Sequence, residues 1–205
     1  FLSKFKLKNF LNNEKKNFTQ KLNPVYEAIK KTRNSLHKSK SLISFIGAPW
    51  TLIVYMFGLK IDKNHINLNE LTIKEAEIKI VLEKIVEYLC SHIVNQVRAG
   101  ADVVQIFDSW AGLIPKNKLP EYCYEPNRRI VQFCKDNNIP VICFPRGIKD
   151  NYIDFGKNVN PDCLSLDYEV DPLWAIKNLK NFCLQGGMNP EILFKEENEI
   201  FKEVD

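Results

Sequence analysis

Five short apolar runs, at residues 42–47, 102–107, 140–144, 163–167 and 182–185, punctuate this chain, with helical patterns between and around them. Runs this short are too brief for helices and read as buried strands. Residues 103–107, VVQIF, show the type: an apolar core that stops abruptly at Asp108, Ser109 and Trp110. Strands alternating with helices at such spacing imply βα units and a parallel sheet, so the fold class is α/β. A polar cluster directly after a buried parallel strand also marks where such folds place a ligand, outside the carboxyl ends of the strands.

The helical patterns are explicit. Val25, Ala28, Ile29, Thr32 and Leu36 mark one face of a helix that Pro24 opens and Asn23 can cap. Residues 71–97 form a longer segment with Ile73, Ala76, Ile80, Val81, Lys84 and Tyr88 at helical spacing, closed by Gly100. Residues 119–137, 172–180 and 190–202 are further helix candidates. The Lys-heavy residues 1–31 read as a solvated helix or linker rather than an anion-binding patch.

Two architectures predict this alternation, the doubly wound sheet and the (β/α)8 barrel. A dinucleotide-binding sheet would carry G-x-G-x-x-G after its first strand, and no such motif occurs. Polar or aromatic residues follow every strand instead: Pro49-Trp50, Asp108-Ser109-Trp110, Pro145-Arg146, Asp167-Tyr168 and Gly186-Gly187-Met188-Asn189. Function spread over many strand ends is the habit of the barrel. A barrel needs eight strands and ~250 residues, whereas five runs are present. Five strands alone would leave two bare edges and half a core.

Composition sets outer limits. The 205 residues are 45% apolar with a net charge of +4, which suits an anionic ligand but is too weak to imply nucleic acid. No run approaches the ~18 apolar residues of a membrane span, and no signal-peptide pattern is present. Cys90, Cys123, Cys134, Cys143, Cys163 and Cys183 include no C-x-x-C pair. Cys143, Cys163 and Cys183 lie inside apolar runs, as expected of core thiols in a reducing compartment. A cytoplasmic protein is the expectation. The chain begins with Phe1 rather than Met, so a missing native start is also expected.

GAPWTL at 47–52 followed by Tyr55 and Met56, together with QIFDSWAG at 105–112, resembles the uroporphyrinogen decarboxylase family. NPVYEAI at 23–29, LSLDY at 164–168 and LQGGMNP at 184–190 resemble further family segments in matching order. The resemblance runs from about residue 20 to the end. It implies a (β/α)8 TIM barrel working as a homodimer without a cofactor, with residues 1–205 forming a single partial barrel domain that covers about strands three to seven. The family's first strands, with an R-Q-A-G-R segment and the catalytic aspartate, would then precede Phe1. Its last strand, with a G-H-G histidine, would follow Asp205. Neither motif occurs in these residues, so the resemblance assigns no catalytic residue within the chain.

The implied substrate is uroporphyrinogen III, a tetrapyrrole whose four acetate arms each lose CO2 to become methyl groups, giving coproporphyrinogen III. By the resemblance Tyr55 and Ser109 contact substrate, each through a hydroxyl that can donate to a carboxylate. Phe107, two residues before Ser109, falls on the same side of its strand and would offer an apolar wall to the macrocycle. Arg146 follows the third run and would supply a cation for the propionates. Asp108 reads equally as a loop tether or a ligand contact, and Asp167 as binding the next loop. Pro49 and Trp50 shape a helix start. His37, His65 and His92 receive no role, and no metal site is expected.

Two other readings stand beside this one. Corrinoid-dependent methyltransferases share the barrel but carry zinc through H-x-C and a distant Cys; here Ser39, Asn67 and Val94 stand two after each histidine. A truncated, non-catalytic barrel is the third reading. These 205 residues alone are expected not to decarboxylate uroporphyrinogen, because the charged walls implied by the resemblance are not among them.

Overall fold

The computed structural model describes residues 4–204, and its five strands pair in parallel in the order β1-β2-β3-β4-β5. In chain order the elements are α1 (Lys4–Leu11), α2 (Lys15–Lys21), α3 (Asn23–Ser35), β1 (Ile43–Gly47), α4 (Pro49–Phe57), α5 (Leu68–Ile73), α6 (Glu75–Arg98), β2 (Val103–Asp108), α7 (Glu125–Asp136), β3 (Val141–Pro145), α8 (Tyr152–Val159), β4 (Cys163–Leu166), α9 (Pro172–Asn178), β5 (Cys183–Gly186) and α10 (Glu197–Val204). All five apolar runs are strands, displaced by one residue at most at either end.

Strand order separates the two candidate architectures. A doubly wound sheet reverses its order at a switch point, and this sheet never reverses. Right-handed crossovers in an unreversed sheet place every connecting helix on the same face. Burial follows that geometry. Ser44 and Ile46 on β1, Val104 and Ile106 on β2, and Leu164 on β4 are buried toward the helices. On the opposite face Phe45 is 64% exposed and Ile43 46%.

The open face is concave. Gln185 Nε2 on β5 donates to Gln105 Oε1 on β2 at 3.4 Å. Two strands lie between them, so in a flat sheet these side chains would stand parallel and about 14 Å apart. The bond requires the sheet to curl toward this face. A one-sided, sequentially wound and curled parallel sheet is an arc of a (β/α)8 barrel.

Local chemistry sets the boundaries that shape the site. Pro49 occupies the first turn of α4, and Gly58 ends the helix in the left-handed region at φ 64°. Ile78, Val81, Leu82, Ile85, Leu89 and Ile93 give α6 its buried stripe. Gly100, at φ 113°, turns the chain directly over Arg33; a Cβ there would lie 2.7 Å from Arg33 Cγ.

Several sequence expectations need correction. Residues 71–97 are two helices, because the chain breaks at Lys74 (φ −100°, ψ 10°) and Asn67 caps the first by accepting from the Glu70 N–H. The first turn of the helix expected at 119–137 widens into a π-turn over Pro120–Tyr124. Residue 23 lies inside α3, whose N-cap is Leu22 without a side-chain bond. The apolar face of α3 is not core: Val25 is exposed, and the inward contact is made by Tyr26, whose hydroxyl sits 2.9 Å from His92 Nδ1. His92 is thus partnered, and burial pushes its imidazole down to about 4. The Lys-rich N-terminal segment is not a linker, since the Phe18 ring stacks on Tyr88 of α6 at 4.6 Å. Cys143 and Cys163 are buried as expected, but Cys183, on the open face of β5, is exposed. All six thiols are free. Among the described residues no helix is long and apolar enough to cross a membrane.

Candidate functional site

Period-two alternation at the end of β2 divides three neighbouring residues between two layers. Phe107 faces the concave side, half-buried, with the Phe45 ring 5.7 Å and the Phe144 ring 6.0 Å away, both nearly perpendicular. Asp108 points the other way and is 1% exposed. It accepts from Thr51 Oγ1 of α4 at 2.8 Å and from Asn127 Nδ2 of α7 at 3.4 Å. Asp108 is therefore a tether between strand and helices, not a ligand contact. Burial pushes its carboxyl up to about 6, against the opposing pull of bonds from Thr51, Cys123 and Asn127. Ser109, just beyond the strand, returns to the open side.

Backbone hydrogen bonds weld the strand-end loops together. The Arg146 N–H donates to Asp108 O at 3.2 Å, and the Gly112 N–H donates to Arg146 O at 2.9 Å. These loops meet backbone against backbone: a Cβ on Gly112 would lie 2.6 Å from Gly147 O. Gly147, at φ 80°, supplies the positive torsion that the close approach requires. Its N–H donates to Asp167 Oδ2 at 2.9 Å, and the buried Tyr152 hydroxyl donates to the same oxygen at 3.1 Å. Asp167 thus binds the preceding loop rather than the next one. Loops after β2, β3 and β4 form one connected unit, preorganised by backbone bonds and by the Asp167 carboxylate.

Above this unit opens a cleft of about 770 Å3. Ser109 and Arg146 both line it, together with Lys60, Lys63, Trp110 and Lys149. Tyr55 lies outside the lining: it projects from α4, 59% exposed, with its ring 6.2 Å from Trp110 at 77°. Trp110 is fixed through its carbonyl, which accepts from the indole N–H of the fully buried Trp50 at 3.0 Å. Lys60 Nζ sits 3.9 Å over the Trp110 ring. Of the four residues singled out in the sequence, two share the cleft. Phe107 forms the concave face, and Tyr55 stands at the rim beside Trp110.

Lys60, Lys63 and Lys149 carry no functional signal in the sequence. Residues 61–65, IDKNH, do contain turn formers, so a turn after Gly58 is legible. The side to which that turn leans depends on packing between α4 and the β2 loop, which no local pattern encodes. A second groove of about 370 Å3 lies on the outer helices, lined by Ile80, Leu82 and Val86 of α6 with Pro126 and Arg129 of α7. It contains no strand-end residue.

A family model described as uroporphyrinogen decarboxylase (URO-D) matches residues 5–205. Uroporphyrinogen decarboxylase of Orientia tsutsugamushi (strain Boryong) is 36% identical over 187 residues, covering 89% of this chain and 54% of that protein. The Wolbachia pipientis wMel enzyme is 37% identical over 182 residues, covering 88% and 53%. That of Rickettsia bellii (strain RML369-C) is 34% identical over 214 residues, covering 98% and 60%. The chain therefore spans about half the length of the relatives it matches. Among solved structures, a methyltransferase from Methanosarcina mazei superposes with a TM-score of 0.51 at 14% identity, covering 80% of this chain and 57% of its own. At that identity the likeness is one of fold and carries no activity.

Proposed function

This chain belongs to the uroporphyrinogen decarboxylase family, and from that premise we propose that its protein converts the four acetate arms of uroporphyrinogen III to methyl groups, yielding coproporphyrinogen III. The five strands supply strands three to seven of the barrel. The protein acts as a cytoplasmic homodimer without a cofactor and takes no nucleic-acid or membrane partner.

The chemistry defines what the site must supply. Electrons released with CO2 need an acceptor, and protonation of the adjacent pyrrole carbon creates one as a cationic ring. Loss of CO2 then pushes the bonding pair into that ring and leaves an exocyclic methylene. A second proton on the methylene completes the methyl group, and loss of the ring-carbon proton restores the pyrrole. The surrounding protein has to grip carboxylates, face the transient cation with negative charge, and deliver protons. Positioning and preorganised electrostatics suffice for much of this.

Within these residues we assign binding rather than proton transfer. Ser109 donates its hydroxyl to a carboxylate at the mouth of β2, and Arg146 offers its guanidinium fork to another. Arg146 makes no side-chain hydrogen bond or ion pair among the described residues, which leaves all its donors available. Tyr55 donates from the rim, with Trp110 bracing its ring. Phe107, with Phe45 and Phe144, presents an apolar floor to the macrocycle. The observation that carries this reading is the placement of Ser109 and Arg146 in one cleft at the carboxyl end of the sheet.

The test is Tyr55→Phe and Ser109→Ala in the protein's natural reading frame, with turnover followed by chromatography of the oxidised porphyrins. A hydrogen bond to a charged group is worth about 1.5–3 kcal/mol, so each variant should lose roughly 10- to 100-fold in kcat/KM. Normal turnover by both would refute the site assignment.

A further inference from the structure

The cations around the cleft arrive from two sides. Arg146 and Lys149 belong to the loop after β3, whereas Lys60 and Lys63 stand on a turn between α4 and α5. We propose that this turn, residues 58–67, is a carboxylate-binding arm. It grips acidic groups of a polycarboxylate ligand through Lys63 and Lys60 and so sets how many such groups the ligand must carry. The identity of the ligand as a porphyrinogen rests on the decarboxylase reading; the arm itself rests on the following geometry.

The turn is built rather than loose. Leu59 and Ile66 are its feet, at 0% and 7% exposure, and an antiparallel bridge joins Lys60 to Ile66. The Asn67 N–H donates to Leu59 O at 2.7 Å, and the Ile61 N–H donates to His65 O at 3.0 Å. At the tip Asp62 is consumed by the turn itself. It accepts from the Asn64 N–H at 2.7 Å and from His65 Nδ1 at 2.8 Å, and it is not part of the cleft lining. The only carboxylate of the tip, though exposed, is thereby engaged within the turn, while Lys63 and Asn64 line the cleft.

Charge pairing separates these lysines from those on the outer helices. Lys79 and Lys118 are shared between Glu75 and Glu121. Among the described residues, none of Lys60, Lys63, Arg146 and Lys149 makes an ion pair. The two acids on the cleft are Asp167 and Glu169. Asp167 is engaged by Gly147 and Tyr152, and the lining as a whole sets four cations against two carboxylates. The cation–π contact with Trp110 holds the Lys60 ammonium itself at the cleft wall and reduces the entropy lost on binding. Such a rim attracts a ligand in proportion to its number of negative groups.

The experiment compares the native protein with Lys63→Met, Lys60→Met/Lys63→Met and the charge-retaining Lys63→Arg. It uses uroporphyrinogen III turnover, plus fluorescence titration with uroporphyrin III (eight carboxylates) and coproporphyrin III (four). Exposed charge contacts are individually modest, so KM should rise about threefold in the single variant and about tenfold in the double. kcat should stay within about twofold, and Lys63→Arg should restore KM. The preference for uroporphyrin over coproporphyrin should narrow in the double variant, and its salt dependence should flatten. Unchanged KM and unchanged preference in a protein that turns over uroporphyrinogen would overturn the arm and leave the decarboxylase reading intact. Lysine-dependent uroporphyrin binding in a protein without turnover would overturn the decarboxylase reading and leave the arm standing. Absence of both overturns both.

Discussion

Replacing Asp108 by Asn tests the structural logic of the site directly. Asp108 is buried between the sheet and helices α4 and α7, with burial raising its carboxyl from an ordinary 3.8 to about 6. Raising a carboxyl that far corresponds to about 3 kcal/mol of preference for the protonated form. The sign follows from proton binding: between 3.8 and 6 the native state holds a proton that the unfolded chain releases. The stability associated with that proton is complete below the lower value, falls as pH rises through the upper one, and is constant above. Asn carries no charge at any pH, and its new N–H2 faces the Asn127 amide. Thr51 Oγ1 can still donate to the amide oxygen, and Asn127, whose Oδ1 is buried without a hydrogen bond, can accept from the new N–H2 once its amide turns over, at the loss of the Nδ2 bond to Cys123 O. Relative to the native protein, Asp108→Asn should therefore gain about 3 kcal/mol between about pH 4 and pH 7. Urea unfolding followed by tryptophan fluorescence at stepped pH measures the difference, in which all other titrations cancel. A stability difference that is flat across this window would refute the assignment of Asp108 as a buried, charge-strained tether.

Two further substitutions probe the loops. Gly112→Ala would drive a Cβ into the Gly147 carbonyl at 2.6 Å with backbone on both sides. It should destabilise the protein by about 1–3 kcal/mol and raise KM by displacing Arg146; an unchanged melting temperature together with an unchanged KM would show that the loops are not in contact. Lys149 holds a left-handed φ of 52° on the cleft rim. Lys149→Gly should relieve that backbone cost and stabilise by about 0.5–1 kcal/mol, yet weaken uroporphyrin III binding in titration. Loss of stability, or unchanged affinity, would contradict this account of the position.

Much of the fold was legible because a parallel strand covered on its helix side reads as a nearly continuous apolar run. Hence the five runs and the five strands coincide to within a residue at each end. The break at Lys74 was not legible, since Ile73, Lys74 and Glu75 give no stop signal and the capping residue, Asn67, lies several positions upstream. Helix α8 was missed although Tyr152, Phe155, Gly156 and Val159 are spaced for one buried face; Gly156 weakens the pattern, but it is the residue that admits the Phe182 ring, which a Cβ would meet at 2.8 Å. Concavity was invisible for a different reason. Phe45 has the same hydrophobicity as a core residue, and only the one-sided crossovers make it face outward from the helical layer. At the site, Ser109 was found through a segment that resembles a family and Arg146 through its place just past a strand, whereas Lys60, Lys63 and Lys149 belong to turns whose direction is a tertiary property.

The residues Phe107, Asp108 and Ser109 show how this sheet holds the cleft at its strand ends in one arrangement. A strand must spend alternate side chains on alternate faces, so any residue placed toward the ligand has neighbours committed to the helical layer. Here the committed neighbour is a carboxylate rather than a hydrocarbon, and its hydrogen bonds to Thr51 and Asn127 draw α4 and α7 onto the same strand end. The main-chain oxygen of Asp108 meanwhile receives the Arg146 N–H. One residue thereby fixes the register of the Ser109 hydroxyl, the helix that carries Tyr55 and the loop that carries Arg146. An apolar side chain at 108 could pack the layer, but it would leave Thr51 and Asn127 without their buried partner and each of those groups with a desolvation cost. The electrostatic strain of a buried carboxyl is thus coupled to the geometry of the cleft. Asp108→Leu should accordingly damage turnover more than Asp108→Asn at equal stability, a comparison that kinetics of the two variants at matched fraction folded would decide.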